Sequence, residues 1–506
     1  MTKAIMIQGT TSDAGKSYTV AALCRILKRR GFSPAPFKSQ NMALNSFITH
    51  DGMEMGRAQV MQAEAAGIEP DVAMNPILLK PTGDTGSQII VNGQVLDNMS
   101  AVDYFAFKHT LKPQIRAAFE KLAETHDIIV IEGAGSPAEI NLKSDDIVNM
   151  GVAKMFNAPV LIVGDIDRGG VFASLFGTIA LLEEDERALV KGTIINKFRG
   201  DESLLTPGLD KLEELCGVPC LGVVPYLRLD IDDEDSLSSR IVQYEATPGK
   251  IDVAVIRLPH VSNFTDLNPL ERYRQVSVRY VDRLSRLGQP DLIVIPGAKN
   301  TLYDLAWLKE QGLADAICAC ASAGTIVLGI CGGYQILGKT IDDPDGMEAG
   351  GMAEGLGLLP VTTVFTTEKT QTRIHARTHD FPEPLSPLSD TTLTGYEIHM
   401  GSTTLAPDAQ AFATIVDAAT GEEKLDGCVS GNIMGTYCHG LFEDGSFVKA
   451  LISLLCEKTG IADEGSPELS FADYKESQYD ALADAVEAAL DMDKLMQIIE
   501  EGIWNE

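Results

Sequence analysis

The stretch Thr325–Gly338, "TIVLGICGGYQILG", decides how the second half of this chain is read. Ile326-Val327-Leu328 is an apolar run of strand type, and Tyr334-Gln335-Ile336-Leu337 begins a helical pattern. Between them Cys331 stands among Gly329, Gly332 and Gly333. A core cysteine needs no such neighbours. A nucleophile at a strained strand-to-helix turn does, because its neighbours must be small. Backbone N–H groups from Gly332 onward are placed to form an oxyanion hole. The helix start favours the reactive thiolate. The glycines are therefore expected to make room for an exposed, activated thiolate.

A thiol needs a base. Of the eight histidines, His439 in "GTYCHGLF" follows an apolar strand well downstream. The Cys-then-His order and the "GICGGYQ" segment resemble the class I glutamine amidotransferases. In that family the cysteine attacks the side-chain amide of glutamine and ammonia leaves. "IPGAKN" (295–300) resembles the loop supplying a second oxyanion N–H, near Gly297 and Ala298. The family pattern places Glu two residues after the histidine, where this chain has Leu441. Glu443, Asp444 and Glu397 are nearby acids, and which of them orients His439, if any, stays open.

The first half opens on a different motif. "AIMIQG" (4–9) runs into "GTTSDAGKSYTVAAL", where Gly9, Thr10, Gly15, Lys16 and Ser17 lie between a strand and an amphipathic helix. Backbone N–H groups of such a loop cradle phosphates, the lysine reaches the β and γ phosphates, and the hydroxyl ligates Mg²⁺. The loop has one residue more between its glycines than the usual form. It resembles the loop of dethiobiotin synthetase and its relatives, which activate a carboxylate with ATP. Glu132 in "EGAGS" ends an apolar strand, where open α/β sheets bind ligands, and is a second candidate for Mg²⁺. Lys38 in "FKSQN" is placed to meet an anionic substrate or phosphate. Asn196 and Arg199 in "INKFRGD" resemble the strand-end residues that touch the base.

Around these motifs, short apolar runs alternate with helical patterns. The runs at 35–39, 127–133, 159–165, 192–197 and 220–225, then 252–259, 291–297 and 432–440, imply parallel sheets covered on both faces. The polar stretch "DIDDEDS" and "EATPGK" puts a boundary near Gly249. A P-loop domain over 1–248 and an amidotransferase α/β domain over 249–506, closing in terminal helices, are expected. Residues 342–395 read as loops and antiparallel strands.

The chain has 506 residues, 45% hydrophobic, with 41 basic and 72 acidic residues and a formal charge of −31. That balance argues against nucleic-acid binding. The acid excess after Ile461 reads as a solvated helical face. Nine dispersed cysteines without a CxxC pair suggest reduced thiols and a cytoplasmic protein. No apolar stretch is long enough to span a bilayer.

Taken together, "GTTSDAGKS", "FKSQNMALNS", "GRAQVMQAEAAG", "MNPILLKP", "EGAGSPAEINL", "GDIDRGGVFAS", "LPHVSNFTDLNPL", "GICGGYQILG", "GYEIHMG" and "GTYCHGLF" resemble the cobyric acid synthase family of cobalamin biosynthesis, over nearly the whole chain. The resemblance implies amidation of four carboxylates of adenosylcobyrinic acid a,c-diamide with glutamine and ATP. It implies that Gln40, Asn41, Asn45, Asn75 and Lys80 line the corrinoid site. Asp145, Asp146, Asp165 and Asp167 are candidates for Mg²⁺ or for orienting ammonia, and Asp146 is also counted with the substrate-binding residues. The related a,c-diamide synthases are the near alternative. A P-loop switch ATPase carrying an inactive amidotransferase module is the distant one. The Thr-Thr-Ser at 10–12, where such switches add a second lysine, counts against it.

Overall fold

A computed structural model describes residues 2–83, 86–232, 243–443 and 445–502. Asp444 and most of the acidic linker after Ile231 lie outside these residues.

The first sheet is built from the expected apolar runs: β1 (Lys3–Gly9), β2 (Pro34–Phe37), β3 (Ile128–Glu132), β4 (Val160–Asp165), β5 (Val190–Phe198) and β6 (Cys220–Pro225). All its pairings are parallel, in the order β6-β5-β4-β1-β3-β2. Every residue of β3 and β4 is buried. That is why these strands read as continuous rather than alternating apolar runs. Helix α1 (Lys16–Arg29) leaves the end of β1 and α2 (Arg57–Ala66) lies beside it.

The second sheet repeats the plan with β7 (Ile251–Ile256), β8 (Val276–Val281), β9 (Leu292–Ile295), β10 (Ile326–Ile330), β11 (Cys428–Ser430) and β12 (Ile433–Thr436). Its order is β8-β7-β9-β10-β12-β11, parallel except for the β11–β12 edge. A six-residue helix, α3 (Gly332–Leu337), starts directly after Cys331. The region expected to hold loops and antiparallel strands forms a long antiparallel pair, Val361–Thr378 with Thr392–Leu405.

Between the halves stands a smaller sheet of four strands: Gln40–Met42, Ile77–Pro81, Gly86–Val91 and Gln94–Ser100. It belongs to the first half in sequence and packs on the second. Gln88 Nε2 lies 3.7 Å from Met400 Sδ, and the Ser46 amide donates to Asn263 Oδ1 at 3.0 Å.

The expected second unit, 249–506, does not close on itself. Helices α4 (Phe471–Ala489) and α5 (Met492–Glu501) cross back and complete the first half's core. Tyr479, Leu482, Val486, Leu495 and Ile499 pack with Ile5, Ile7, Val20 and Leu23. Nor is the acidic face of α4 simply solvated. Glu476 and Asp480 pair with Arg25 at 2.7 Å, Asp484 with Arg29 at 2.6 Å and Glu487 with Arg30 at 2.8 Å. Exposed pairs of this kind contribute little singly, so the apolar seam holds the helices down. Leu482→Ala is expected to lower unfolding free energy by about 2–5 kcal/mol, as buried Leu truncations do. Urea melts of full-length protein, followed by nucleotide retention as well as by circular dichroism, would check that the loss falls on the first half.

Candidate active site

Strand β10 delivers Cys331 into a backbone conformation, φ 51° and ψ −109°, that non-glycine residues rarely adopt. The reason lies in the packing that follows. A Cβ on Gly333 would stand 1.9 Å from the carbonyl oxygen of Ile295, and one on Gly332 would stand 2.8 Å from Ala298 N. The glycines therefore admit the 295–298 loop against the turn, which brings the backbone of Gly332 beside that of Ala298. The expectation of an exposed thiol is corrected here. Cys331 is buried, with Sγ 3.5 Å from the Ile398 carbonyl, and it opens only onto a narrow cleft.

His439 lines the same cleft. Its Nδ1 lies 2.6 Å from Asp266 Oδ2, while Asp266 Oδ1 accepts the Gly440 amide at 3.0 Å. Its Nε2 is buried and, among the described residues, has no hydrogen-bond partner, leaving that nitrogen for the thiol side. Tyr396 stacks on the ring with centroids 5.2 Å apart. Burial alone would suppress the imidazolium. The Asp266 carboxylate and the contact with Cys331 outweigh it and raise the pKa from 6.5 to about 10. The nearby acids considered for this position serve elsewhere. Glu443 faces Arg57 at 3.7 Å, and Glu397 pairs with Lys424 at 2.9 Å and with His399 at 3.6 Å. Leu441 is fully buried.

The P-loop site forms at the other sheet. Gly15 is left-handed, φ 98°, and caps α1; a Cβ there would meet Asn196 Nδ2 at 1.9 Å. Gly9 leaves room for Lys16, whose Nζ donates to the carbonyls of Thr11 at 2.9 Å and Gly135 at 3.0 Å. Ser17 Oγ donates to Glu132 Oε1 at 2.9 Å, and Lys38 Nζ stands 2.9 Å from the same oxygen. Gln62, from α2, donates to the other carboxylate oxygen. The buried Oε1 atoms of Gln8 and Gln62 lack hydrogen-bond partners. A hydroxyl and a carboxylate at a phosphate cradle, with spare amide oxygens near, form a set of hard oxygen donors that fits Mg²⁺.

Residues 5–236 match the CobQ/CobB/MinD/ParA nucleotide binding domain, and residues 252–447 match the CobB/CobQ-like glutamine amidotransferase domain. A protein of Lachnoclostridium phytofermentans named cobyric acid synthase is 55% identical over 99% of this chain and 100% of its own length. One of the same name from Ruminiclostridium cellulolyticum is 55% identical over 100% of this chain and 98% of its own. A third, from Yersinia enterocolitica, is 50% identical over 99% of both. The chain belongs to the cobyric acid synthase family.

The residues that the family resemblance pointed to for the corrinoid lie in and beside the small four-stranded sheet, and most of them are engaged within the protein. Lys80 lines the Cys331 cleft, paired with Glu54 at 2.9 Å. Asn75 accepts the Gly56 amide and donates to the carbonyls of Lys38 and Ile77, which makes it a brace for the chain. Asn41 donates to Gln59, and Gln40 accepts from Tyr104. Asn45 is buried with both amide atoms unpartnered. Asp146 accepts three backbone amides, at Val148, Asn149 and Gly151, and is occupied as a loop anchor. Asn196 braces the P-loop through the Ala14 carbonyl at 3.0 Å. Arg199 pairs with Asp167 at 2.9 Å and lies 3.6 Å from the centre of the Tyr226 ring. Asp165 holds Lys197 at 2.9 Å, and Asp145 faces Lys112 at 3.4 Å.

The raised pKa of His439 fixes a sign. Its folded value, about 10, exceeds its ordinary 6.5, so the protonated ring stabilises the fold. That contribution is complete below pH 6.5 and is lost as pH climbs through 10. Asp266→Asn should lower the His439 titration midpoint, read by NMR of the ring protons. It should also flatten the fall in unfolding free energy over that range. An unchanged midpoint would remove Asp266 as the cause.

Proposed function

We infer that this protein makes adenosylcobyric acid by amidating the b, d, e and g carboxylates of adenosylcobyrinic acid a,c-diamide, using ATP and nitrogen released from glutamine. One observation carries the reading: His439 sits between Cys331 and a buried Asp266, in a cleft walled partly by Lys80 of the nucleotide-binding half. A glutaminase centre that opens against a synthetase domain is built to hand nitrogen across.

At the cleft, Asp266 holds the ring by Nδ1 so that Nε2 faces Cys331. The proton of the Cys331–His439 pair rests on the His439 ring, which Asp266 holds in the protonated form, and the sulfur attacks the glutamine side-chain amide carbon. The oxyanion that forms lies against the backbone N–H groups of Gly332 and of the Gly297–Ala298 loop, which the glycines let approach. His439 returns the proton to the leaving nitrogen, ammonia departs, and water releases glutamate from the thioester. A triad read by geometry rather than by sequence order fits this arrangement.

At the P-loop, Thr10, Gly15 and Lys16 cradle the triphosphate, with Gly9 making room for the lysine and Asn196 holding the loop. Lys16 lies over the transferred phosphoryl group, and Lys38 draws in the substrate carboxylate. Ser17 and Glu132 would hold Mg²⁺, which supplies charge neutralisation on the phosphates when bound. The carboxylate oxygen attacks the γ phosphorus, ADP leaves, and ammonia displaces phosphate from the acyl phosphate to give the amide. Asn45, buried with a free amide, is the best placed of the corrinoid candidates to accept a new polar partner.

The purified protein would be given the a,c-diamide, ATP, Mg²⁺ and either glutamine or ammonium, and product mass followed through four steps. Cys331→Ala should lose the glutamine-driven reaction and keep the ammonium-driven one. Lys16→Ala should lose both. Asp266→Ala should lower glutamine-driven kcat by about 10²–10⁴-fold, the range of positioned acid–base groups, and leave the ammonium reaction intact. A corrinoid unchanged with either nitrogen source would overturn the substrate assignment.

A further inference from the structure

The turn that carries Asp266 is anchored to the first half of the chain on both sides of that residue. It is a 3-10 turn, Phe264–Arg272, entered through Asn263 in the left-handed region at φ 52°. The Ser46 amide donates to the Asn263 side chain at 3.0 Å. Beyond Asp266, Asn268 Nδ2 donates to Asp232 Oδ1 at 3.1 Å. Asp232 lies where the acidic linker begins. Its other oxygen accepts Arg57 Nε at 2.9 Å and stands 2.8 Å from Arg57 Nη2. Arg57, Asp232 and Asn268 are all buried. Burial opposes the charge of Asp232, but Arg57 and Lys475 together outweigh it and hold the carboxyl below its ordinary range.

Arg57 reaches the histidine side as well. Its Nη2 stands 3.7 Å from Glu443 Oε1, and the Glu443 amide donates to the Gly440 carbonyl at 3.0 Å, next to His439. Its guanidinium lies 5.2 Å from the centre of the Phe47 ring. Phe47 packs edge-on against Tyr396, with centroids 5.2 Å apart, and Tyr396 stacks on His439. Three lines of contact from one side chain therefore end on the Asp266–His439 pair: at the acid's turn, at the loop after the histidine and at the ring. The Cys331 cleft is lined by other residues, so Arg57 meets glutamine chemistry only through what it holds.

We propose that Arg57, from the nucleotide-binding half, is a positioning residue of the glutaminase centre, which through Asp232 and Asn268 holds the turn that sets Asp266 against His439. This rests on the glutaminase reading above. A buried carboxylate stripped of its cation is unfavourable, so Asp232 stays where Arg57 is, and the bond to Asn268 ties the turn to that point. Displacing a catalytic group by about 1 Å costs on the order of 10²-fold in rate, so the tether matters although it touches no substrate. The second half brings Cys331 and His439 together by its own fold, while the place of the acid is set from the first half.

The test measures ammonia release from glutamine with corrinoid, ATP and Mg²⁺ present, beside amidation driven by ammonium. Asn268→Ala should lower kcat for glutamine by about 10-fold or more and move KM by less than about 2-fold, with the ammonium reaction kept. It should also lower the His439 titration midpoint, read by NMR of the ring protons. Arg57→Met should lower the glutamine kcat in the same way, and Arg57→Lys, which keeps a cation on Asp232, should recover part of it. On an Asp266→Ala background, Asn268→Ala should cost nothing further, because both changes act through one carboxylate. The Asn268→Ala arms leave the Arg57–Asp232 pair intact, and they stand even if Arg57→Met does not fold. An active wild type with Asn268→Ala of unchanged kcat, or with equal losses on the two backgrounds, overturns the positioning role alone. A wild-type enzyme that releases no ammonia from glutamine overturns the glutaminase reading, and this role with it.

Discussion

The carboxylate of Glu54 is the constraint on which the arrangement of the two halves depends. It is completely buried and bound by Lys80 of its own half at 2.9 Å, with Lys369 and Gln371 reaching it from the other half. Burial opposes its ionisation, but two ammonium groups hold its pKa well below the usual carboxylate range. A buried ion cluster is weak as a source of stability and strong as a specifier, because removing one member strands the others. Here it fixes the small four-stranded sheet against the long strand Val361–Thr378. The paired strand Thr392–Leu405 carries Ile398 and Met400, which form a wall of the Cys331 cleft. The cleft thus takes its shape from a contact between halves. Neither half supplies it alone.

What was legible in the sequence was local. The Gly9–Ser17 loop and the Gly329–Gly333 elbow each compress strand, turn and helix into a few residues, and steric need dictates the glycines. Both folds followed from them. The partner acid of His439 was not legible, for a reason that is physical. The family pattern puts the acid two residues after the histidine, but Asp266 comes from a 3-10 turn, Phe264–Arg272, 173 residues earlier. The available signal was negative: an apolar Leu441 where the family pattern puts an acid means the carboxylate must arrive from another element. "LPHVSNFTDLNPL" was singled out and contains it, but spacing along a chain does not encode which loop faces which.

The same limit explains the other differences. Asn75 and Asp146 are polar loop residues, and such residues close backbone turns as readily as they bind ligands. Lys80 read as a substrate ligand because its segment is not needed for phosphate. Its partner Glu54 lies in another short strand, and only the sheet register brings the two together. The helices α4 and α5 follow the amidotransferase half in sequence and serve the other core. The acids of α4 recur at 476, 480, 484 and 487, opposite Arg25 and Arg29 of α1 and Arg30 just past its end. That complementarity was present in the text of the sequence, but a charged helical face is solvated by default.

Helix α2 is where the two centres meet in one rigid element. Its first residue, Arg57, is buried between Asp232 and Glu443, and Glu443 in turn donates its amide to the Gly440 carbonyl, next to His439. Five residues along, Gln62 reaches Glu132 and the Ser17 carbonyl at the P-loop. A helix of ten residues has little freedom to bend, so a displacement of Gln62 moves Arg57 as well. Both residues sit in buried polar networks. Tyr396 adds a second contact of this kind, its hydroxyl on the Ser46 carbonyl and its ring on His439. Helix α2 thus makes direct contacts with the polar networks of both centres.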